Sequence, residues 1–500
     1  MRSRKNILKS MLSVSGVVVI AKVLGFVKQI ITANIFGATI HTDIIFLAEG
    51  VVSNLDYLLV QALSTAFIPI YLVVKEKGED EGKSFASNTI KFFFVITLVL
   101  SSIVFLSSPI ISRLLAPSYA IDEYRRLSLY LRLFAPVLIL IVELAIFNSL
   151  LKANEQFVPG ELIGVNQSVI LIILALLIGE KYGPDTLVIA FYTYAVFNLL
   201  FLMIISRRFW CIKNGISFVN PDIEKLIKMM GPLLLGYSVV FVNQQVDKII
   251  VSGFEAGTVT AMNYASVLSN FVTTFIGSIC AVLFTYITQN IVEGRDKEAA
   301  SLTSKSIIQL STLAIPISTI TIINANDIVR GIFGRGKFDE DAVSSCSIAL
   351  VGYAFMFVPF VLRELYSRFQ YGYEDSKRPM INSTIAIVLN MVLSIALSKV
   401  LGVLGVTLAT SFSVAVCGLL NYYSSKKRNN CIKMIGHKSI IVRWILGIGV
   451  CIAISILGQM LFREINVILR FVIIASLSLT SYGVVTLPII KPLLRKFIKK

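Results

Sequence analysis

Long apolar segments recur along this chain, and they constrain its fold more than any other feature of the sequence. A helix needs about 20 apolar residues to span the roughly 30 Å of hydrocarbon in a bilayer. Charged residues make up only 15% of the chain, whereas a soluble domain is about 25% charged. The sequence therefore predicts an all-α, polytopic membrane protein with about fourteen transmembrane helices. The predicted segments lie near residues 11–35, 43–73, 86–112, 127–152, 160–179, 186–207, 226–252, 259–290, 303–324, 342–368, 380–399, 402–423, 439–461 and 467–490.

Lysine and arginine residues are concentrated in alternate loops between these segments. If the N-terminus is cytoplasmic, the basic loops lie mostly on the same side, and the positive-inside rule is satisfied with both termini in the cytoplasm. The net charge of +17 is therefore interpreted as a topology signal, and no nucleic-acid partner is expected. The first segment is longer than the apolar core of a signal peptide, so it is expected to be a retained span.

A charge pattern occurs twice along the chain at nearly the same spacing. Arg113 is followed nine and ten residues later by an Asp-Glu pair, and Arg330 is followed by such a pair at the same distances. Phe-x-Pro motifs then end at Pro136 and Pro359, so the offset between the halves is about 217–223 residues. Both halves are expected to start on the same side of the membrane, which predicts a parallel repeat.

The repeat predicts three parts of the chain. They are an N-terminal six-helix lobe over 1–215, a C-terminal six-helix lobe over 216–430, and an appended two-helix segment with a basic cytoplasmic tail over 431–500. Transporters built from repeats bind substrate between the repeats and expose it to each side by rocking one against the other. Alternating access is therefore the expected mechanism, and the protein is expected to be monomeric.

Two lysines lie inside the first apolar segment, with Lys22 near its middle and Lys28 closer to its outer end. A lysine at the bilayer centre costs about 2.5–3.5 kcal/mol on insertion scales, so it usually faces a partner or a water-filled cavity. Gly25 and Gln29 share the helix face of Lys22, which predicts a small, polar stripe. The functional interpretation is a cationic cavity wall that meets an anionic substrate. The alternative is a structural ion pair with an acid such as Asp43.

Other ionisable residues also fall within the predicted spans. Asp43, Glu49 and Asp56 belong to the second span, Glu143 to the fourth and Arg363 to the tenth. All of these except Glu49 are candidate substrate-binding residues, together with the two lysines. A structural polar seam between helices is the alternative interpretation. A glutamate follows Arg363 directly, and adjacent residues are expected to point in different directions on a helix.

No motif for catalysis or metal binding occurs in the sequence. The chain has no Walker A, GxSxG or HExxH motif, its six cysteines are scattered without a CxxC pair, and its two histidines are far apart. An ATP-driven pump would need a soluble nucleotide-binding domain, and the loops are too short to form one. We therefore expect no enzymatic activity, no metal and no cofactor. Transport is expected to be driven by a coupling monovalent ion, the membrane potential or the substrate gradient.

Four motifs follow one another along the chain. The first contains Lys22-Val-Leu-Gly-Phe-Val-Lys28, then Phe36-Gly37, Asp43 and Ala66-Phe-Ile-Pro69, and the others are Phe157-Val-Pro159 with Asn166, Gly334-Arg-Gly-Lys-Phe338 and Asp375-Ser-Lys-Arg-Pro379. In this order and spacing they resemble the motifs of the MurJ/MviN-type lipid II flippases, within the multidrug/oligosaccharidyl-lipid/polysaccharide flippase superfamily. The resemblance spans essentially the whole chain.

The resemblance implies a flippase of the bacterial plasma membrane, surrounded by membrane lipids. Its substrate would be a lipid-linked oligosaccharide, the undecaprenyl-pyrophosphate-linked peptidoglycan precursor lipid II. A cationic cavity between the lobes would hold the pyrophosphate while the lipid tail stays in the bilayer. Lys22, Lys28 and Asp43 match positions that are functional in the family. Lysine keeps the charge of the family's arginines but lacks their bidentate fork.

Two positions depart from the family pattern. Asp56 and Val267 lie where the family carries arginines late in the second span and in the eighth. A flippase for another polyprenyl-linked saccharide, such as a capsule, O-antigen or teichoic-type repeat unit, is therefore an alternative. A multidrug cation antiporter is a further alternative, although it would need an acidic pocket rather than a cationic first span. A non-transporting membrane scaffold is the last.

Overall fold

The computed structural model of the chain describes residues 4–211, 220–432 and 438–498. Over these residues the fold consists of α-helices, one 3-10 turn and short loops, with no β-strand, so the predicted all-α class is confirmed. The helices in chain order are α1 (Arg4–Phe36), α2 (Ile40–Lys77), α3 (Glu79–Leu115), α4 (Ile121–Phe134), α5 (Val137–Ala153), α6 (Val158–Tyr182), α7 (Thr186–Ser206), α8 (Pro221–Val251), α9 (Thr258–Val292), α10 (Asp296–Ile323), α11 (Ala325–Ile332), α12 (Glu340–Ala354), α13 (Phe357–Gly372), α14 (Lys377–Leu401), α15 (Val403–Arg428), α16 (Lys438–Leu461) and α17 (Val467–Ile498).

The described helices contain eleven candidate membrane spans, or up to thirteen if each of two bent pairs counts as one span. The bent pairs are the two halves of α8, which meet at 43°, and α12 with α13, which meet at 41°. One of the eleven, Val158–Ser206, covers both α6 and α7. At about 1.5 Å per residue, each of these two helices is long enough to cross the hydrocarbon alone. The predicted total of fourteen is compatible with this structure.

The repeated Asp-Glu pairs lie at the starts of α4 and α12. Glu123 accepts a hydrogen bond from the backbone N–H of Ala120 at 2.9 Å, immediately before α4. Asp339 caps α12, because its Oδ1 accepts from the N–H of Ala342 at 2.9 Å. Such side chains replace the hydrogen-bond partners that the first turn of a helix lacks. The acidic pairs found in the sequence therefore begin corresponding helices of the two halves.

Backbone conformation repeats along the chain at a constant spacing. Glu155 and Glu374 are the two non-glycine residues with positive φ among the described residues, at 58° and 61°. Gly183 and Gly402 have φ values of 58° and 59°. The members of each pair are 219 residues apart, and α6 and α14, which lie between these positions, are both 25 residues long. Positive φ is uncommon outside glycine, so its recurrence supports the repeat inferred from the sequence.

The described chain separates into two compact units. Unit one contains the residues up to Thr260 together with Arg335–Phe338, and unit two contains Ala261–Gly334 and the residues from Asp339 onward. Unit one thus contains α1 to α8 and the first residues of α9. Unit two contains the rest of α9 and α10 to α17. The lobe boundaries at 215 and 430 stay a prediction.

In unit one, the end of α1 contacts the segment 335–338 through two glycines. The backbone N–H of Lys337 donates to the carbonyl oxygen of Asn34 at 2.9 Å. A Cβ atom at Gly37 would lie 2.3 Å from the carbonyl oxygen of Lys337, and one at Gly336 would lie 2.4 Å from that of Asn34. Both glycines also have positive φ, at +68° and +60°, which other residues rarely adopt. Two separate glycine motifs of the sequence therefore meet in one backbone contact.

In unit two, an ion pair joins α17 to α11. Arg470 donates from Nη2 and Nε to the two carboxylate oxygens of Asp327, at 2.5 and 2.9 Å, and the side chains are only 15% and 9% exposed. On α16, Nε1 of Trp444 donates to Oγ1 of Thr312 on α10 at 2.9 Å. Gly447 of α16 lies directly against the ring of a tyrosine on α17. The last two helices are thus fixed to α10 and α11 by polar contacts as well as by packing.

Removal of the Arg470 side chain is expected to destabilise unit two. Arg470→Ala leaves the Asp327 carboxylate buried without its partner, which costs about 3 kcal/mol. We expect a lower midpoint of thermal unfolding in detergent. The control is Lys228→Ala, which removes an exposed ion pair with Glu224 and should leave the midpoint unchanged. The double variant Asp327→Ala with Arg470→Ala should lose less than the sum of the single losses, and strictly additive losses would contradict the pairing.

Candidate functional site

Helix α1 carries both lysines that the sequence analysis selected, and they differ in exposure. Lys22 is exposed, whereas Lys28 is half-buried. The helix packs on α6 through small residues: a Cβ atom at Gly25 would lie 3.9 Å from Oγ of Ser168, in ordinary contact. This packing involves Gly25 and also Ala21, which lies 3.5 Å from a Cβ atom built at Gly164 of α6, while the Lys22 side chain is exposed. The Lys22 ammonium group is therefore accessible to a ligand or to solvent.

Lys28 has an acidic neighbour on α2. Glu49 interacts electrostatically with Lys28, and its carboxylate accepts a hydrogen bond from the hydroxyl of Ser53, one turn later on α2. Among the described residues, neither Lys22 nor Lys28 forms an ion pair with Asp43, the structural partner that the sequence suggested. Glu49 lies within the second predicted span but is not among the predicted substrate-binding residues. The available signal was its spacing of four residues from Ser53, which places two polar groups on one face of an apolar helix.

A cavity of about 270 Å³ lies beside Glu49, inside unit one, between α2, α5, α6 and α7. Its polar lining consists of a carboxylate, a hydroxyl and side-chain amides, and its remaining lining is mainly aliphatic and aromatic. Among the described residues, Oδ1 of Asn148 and Nδ2 of Asn198 are buried there without a hydrogen-bond partner. No group of three or more metal-ligating side chains occurs in the part of the chain that the structure describes. The cavity is therefore suited to water or to a small polar group. Its polar lining residues are Glu49, Ser53, Asn148, Gln167, Tyr194 and Asn198.

Asp43 is buried, with 2% of its surface exposed. Its carboxylate accepts hydrogen bonds from the N–H of Gly257 at 2.7 Å and from the N–H and hydroxyl of Thr260 at 2.7 and 2.6 Å. These donors belong to the loop before α9 and to its first turn, so Asp43 acts as a helix cap supplied from another helix. Burial, together with the nearby Asp43 carboxylate, raises the pKa of Tyr119 in the loop before α4.

Two further acidic candidates lie outside this arrangement. Glu143 is only 5% exposed, and both of its carboxylate oxygens are buried without a hydrogen-bond partner in the described part of the chain. It does not line the cavity beside Glu49. Asp56 belongs to the helical backbone of α2, but its side chain lies outside the described residues. Glu49 is thus an electrostatic neighbour of Lys28, and Glu143 is not among the residues that line the cavity beside Glu49.

In unit two, Arg363 belongs to a charged cluster on α13. Its Nη2 donates to Glu364 at 2.9 Å, and Nη2 of Arg368 donates to the other oxygen of the same carboxylate at 3.1 Å. The guanidinium group of Arg363 also lies over the ring of Phe360, 4.8 Å from its centre. The expectation that Arg363 and its neighbour point in different directions is wrong, because the long arginine side chain folds back along the helix. Two arginines share one carboxylate, so the cluster has a net positive charge.

A sequence model of the family described as "Lipid II flippase MurJ" matches residues 32–477. A curated protein of Rhizobium tropici named "Probable lipid II flippase MurJ" is 26% identical over 430 residues, which cover 83% of this chain and 79% of that protein. A protein of the same name from Vibrio cholerae is 24% identical, and the match covers 82% of this chain and 81% of that protein. These similarities extend over most of the membrane-spanning chain.

Solved structures share the fold. "Lipid II flippase MurJ, inward closed conformation" matches with a TM-score of 0.81 and 21% identity, over 96% of this chain and 99% of that chain. A multidrug resistance MATE family transporter in an inward-facing conformation matches with a TM-score of 0.65 and 12% identity, over 82% and 94%. At these identities the structures show likeness of fold alone. The family model covers most of the sequence, and the resemblance seen in the motifs is confirmed: the chain belongs to the MurJ family.

Proposed function

We propose that this protein is a flippase that moves lipid II, the undecaprenyl-pyrophosphate-linked peptidoglycan precursor, across the bacterial plasma membrane. The observation that carries the proposal is the match of the lipid II flippase family model to residues 32–477. The names of the curated relatives support the same activity. The protein acts as a monomer with both termini in the cytoplasm. It transports its substrate without chemical conversion.

In the proposed mechanism, the ammonium groups of Lys22 and Lys28 bind the substrate's pyrophosphate. Lys22 is exposed and Lys28 is half-buried, so together they lead from an accessible surface into the helix assembly of unit one. A pyrophosphate diester carries two negative charges, and hydrocarbon cannot replace their hydration unless cations compensate. The polyprenyl tail stays in lipid while the head group crosses by alternating access. The membrane potential or a monovalent ion gradient drives the cycle.

Three further residues are proposed to contact the substrate. Arg363 is a second cationic contact for the head group, because its cluster on α13 is positively charged and partly exposed. Glu143 and Asp56 stay candidate substrate contacts from the sequence. Both carboxylate oxygens of Glu143 are buried without a hydrogen-bond partner among the described residues, so a polar group of the substrate could serve as their partner.

Asp43 is proposed to be a positioning residue rather than a direct ligand of the substrate. All of the described hydrogen bonds of its carboxylate come from the segment 257–260, within unit one. The carboxylate compensates the free N–H groups and the positive dipole end at the start of α9. Its effect on transport therefore comes from holding this segment in place.

Another polyprenyl-linked saccharide is the second candidate substrate. The observation that favours it is the presence of Asp56 and Val267 where the family pattern carries arginines. Loss of these charges weakens recognition of a pyrophosphate unless other cations replace them. Such a flippase would be needed for a surface polymer rather than for growth.

Reconstitution in liposomes distinguishes the two substrates. The purified protein is expected to flip labelled lipid II, and a capsule-type undecaprenyl-pyrophosphate saccharide is measured beside it. Movement of labelled head groups to the opposite leaflet is the readout, with protein-free liposomes as the control. Transport of the capsule-type lipid without lipid II would replace the first function by the second.

Charge reversal at Lys22 is expected to abolish transport. In Lys22→Glu a carboxylate would repel the substrate pyrophosphate, while the exposed position leaves the fold intact. We expect flipping in liposomes to fall to background, with an unchanged yield of membrane-inserted protein. Lys297→Glu is the matched control, because Lys297 is exposed at the start of α10 and outside the proposed site. Wild-type flipping by Lys22→Glu would rule out its role in substrate binding.

Replacement of Asp43 is expected to act through stability. Asp43→Ala removes the acceptor of three hydrogen bonds at the start of α9, at a cost of about 2 kcal/mol. The unfolding midpoint should therefore fall, and Asp43→Asn, which keeps one acceptor oxygen, should lie between this variant and the wild type. The affinity for undecaprenyl pyrophosphate of the protein that remains folded should stay close to that of the wild type. Loss of this affinity at an unchanged midpoint would instead make Asp43 a direct ligand.

A further inference from the structure

Two lysines of unit one, on different helices, have the same carboxylate as an electrostatic neighbour. Glu49 of α2 is the acidic group that interacts electrostatically with Lys28 of α1 and also with Lys248 of α8. Both lysines are half-buried and lie within candidate membrane spans. The packing of α8 on α2 places the Lys248 ammonium group beside the turn of α2 that carries Glu49.

Direct contacts with α2 define the position of Lys248. Its Nζ lies 3.4 Å from the carbonyl oxygen of Phe46, and Nε2 of Gln245 lies 3.4 Å from the carbonyl oxygen of Gly50. A Cβ atom at Gly50 would lie only 1.7 Å from the Lys248 Nζ. The ammonium group thus occupies space that exists because residue 50 is glycine. Gly50 directly follows Glu49 in the sequence.

When all three groups are ionised, Lys28, Lys248 and Glu49 carry two positive charges and one negative charge. The Glu49 carboxylate accepts a hydrogen bond from Ser53. Within the described residues, neither Lys28 nor Lys248 has an ion-pair partner at salt-bridge distance. An uncompensated cation inside a membrane span is costly, and a bound anion removes that cost. A pyrophosphate fits this need, because its several oxygens accept charge-assisted hydrogen bonds from more than one ammonium group.

We propose that Lys28 and Lys248 together bind the pyrophosphate of the substrate, and that Glu49 holds the two ammonium groups in place before it arrives. The inference rests on the proposed function and adds Lys248 and Glu49 to its binding residues. The recognised group is a pyrophosphate, which occurs both in a lipid-linked saccharide and as the free inorganic ion. Gly50 contributes by leaving room for the Lys248 ammonium group.

A purely structural role for Lys248 would not require its positive charge. A link between α2 and α8 requires only a donor to the carbonyl of Phe46, and a neutral amide can supply one. Binding of a pyrophosphate requires positive charge. The variants Lys248→Gln and Lys248→Arg therefore separate the two roles, because only the second keeps the charge.

The test measures binding of undecaprenyl pyrophosphate to the purified full-length protein in detergent, beside undecaprenol and inorganic pyrophosphate. The wild type is expected to prefer undecaprenyl pyrophosphate over undecaprenol. Lys248→Gln should weaken binding of undecaprenyl pyrophosphate by about tenfold to a hundredfold, as expected for one lost charge-assisted contact. Lys248→Arg should retain most of the affinity. Affinity for undecaprenol should be the same in all variants, because its head group is neutral.

Gly50→Ala tests the position of the ammonium group without removing its charge. The new methyl group would displace the flexible end of Lys248, and binding of undecaprenyl pyrophosphate should weaken by about tenfold. Gly277→Ala in α9 is the matched control, because a Cβ atom there meets nothing within 4 Å. Both changes favour the helix to a similar extent, so a difference between them reports on Lys248.

Wild-type affinity for undecaprenyl pyrophosphate in both Lys248→Gln and Gly50→Ala would overturn the inference. A wild-type protein that binds undecaprenol equally well would overturn it too. If Lys248→Gln also weakens binding of inorganic pyrophosphate, the site recognises the pyrophosphate alone; if only lipid-linked binding weakens, the site requires the lipid as well. Flipping of lipid II is measured separately. If the wild type binds undecaprenyl pyrophosphate through Lys248 but does not flip lipid II, the proposed function fails and the site stands.

Discussion

Charge buried away from water is the constraint on which the rest of this structure depends. Water is not there to stabilise an ionised group, so each group needs an opposite charge or several hydrogen-bond donors. Asp43 is stabilised by backbone and hydroxyl donors, and Asp327 by Arg470. Lys28 and Lys248, by contrast, have no ion-pair partner at salt-bridge distance among the described residues. Charges that stabilise the fold are thus compensated within it, and the excess positive charge lies where an anionic ligand would be stabilised most.

Much of the fold could be predicted because membrane insertion depends on local composition. About 20 consecutive apolar residues define a span wherever they occur, and each predicted segment lies on one helix or on two successive helices. The sequence does not predict the bend between α12 and α13, although Pro359 lies within the predicted span 342–368. A proline lacks the N–H that would bond four residues earlier, here at residue 355, where the two helices meet. Whether a membrane proline bends its helix depends on the neighbours that satisfy the freed carbonyl.

The site was only partly predictable. Lys22 and Lys28 were selected because a charge within an apolar run is anomalous whatever surrounds it. The proposed roles of Glu49 and Lys248 depend on the packing of α8 on α2. The two residues are almost 200 positions apart in the sequence, so no local sequence pattern predicts this contact. Some of the family motifs form contacts that hold the fold together rather than the site. Gly37, for example, packs against the backbone of the 335–338 segment. Motifs of this kind identify a family more securely than they identify its substrate.

The ion pair between Asp327 and Arg470 makes two positions, 143 residues apart in the sequence, depend on each other. A change at either position alone leaves one charge unpaired in a low-dielectric interior, whereas apolar residues at both positions can pack without that cost. Intermediates between the two solutions are therefore disfavoured. Among relatives of this chain, the acid on α11 and the arginine on α17 should be inherited or lost together. The final helix thereby restricts which residues α11 can accept.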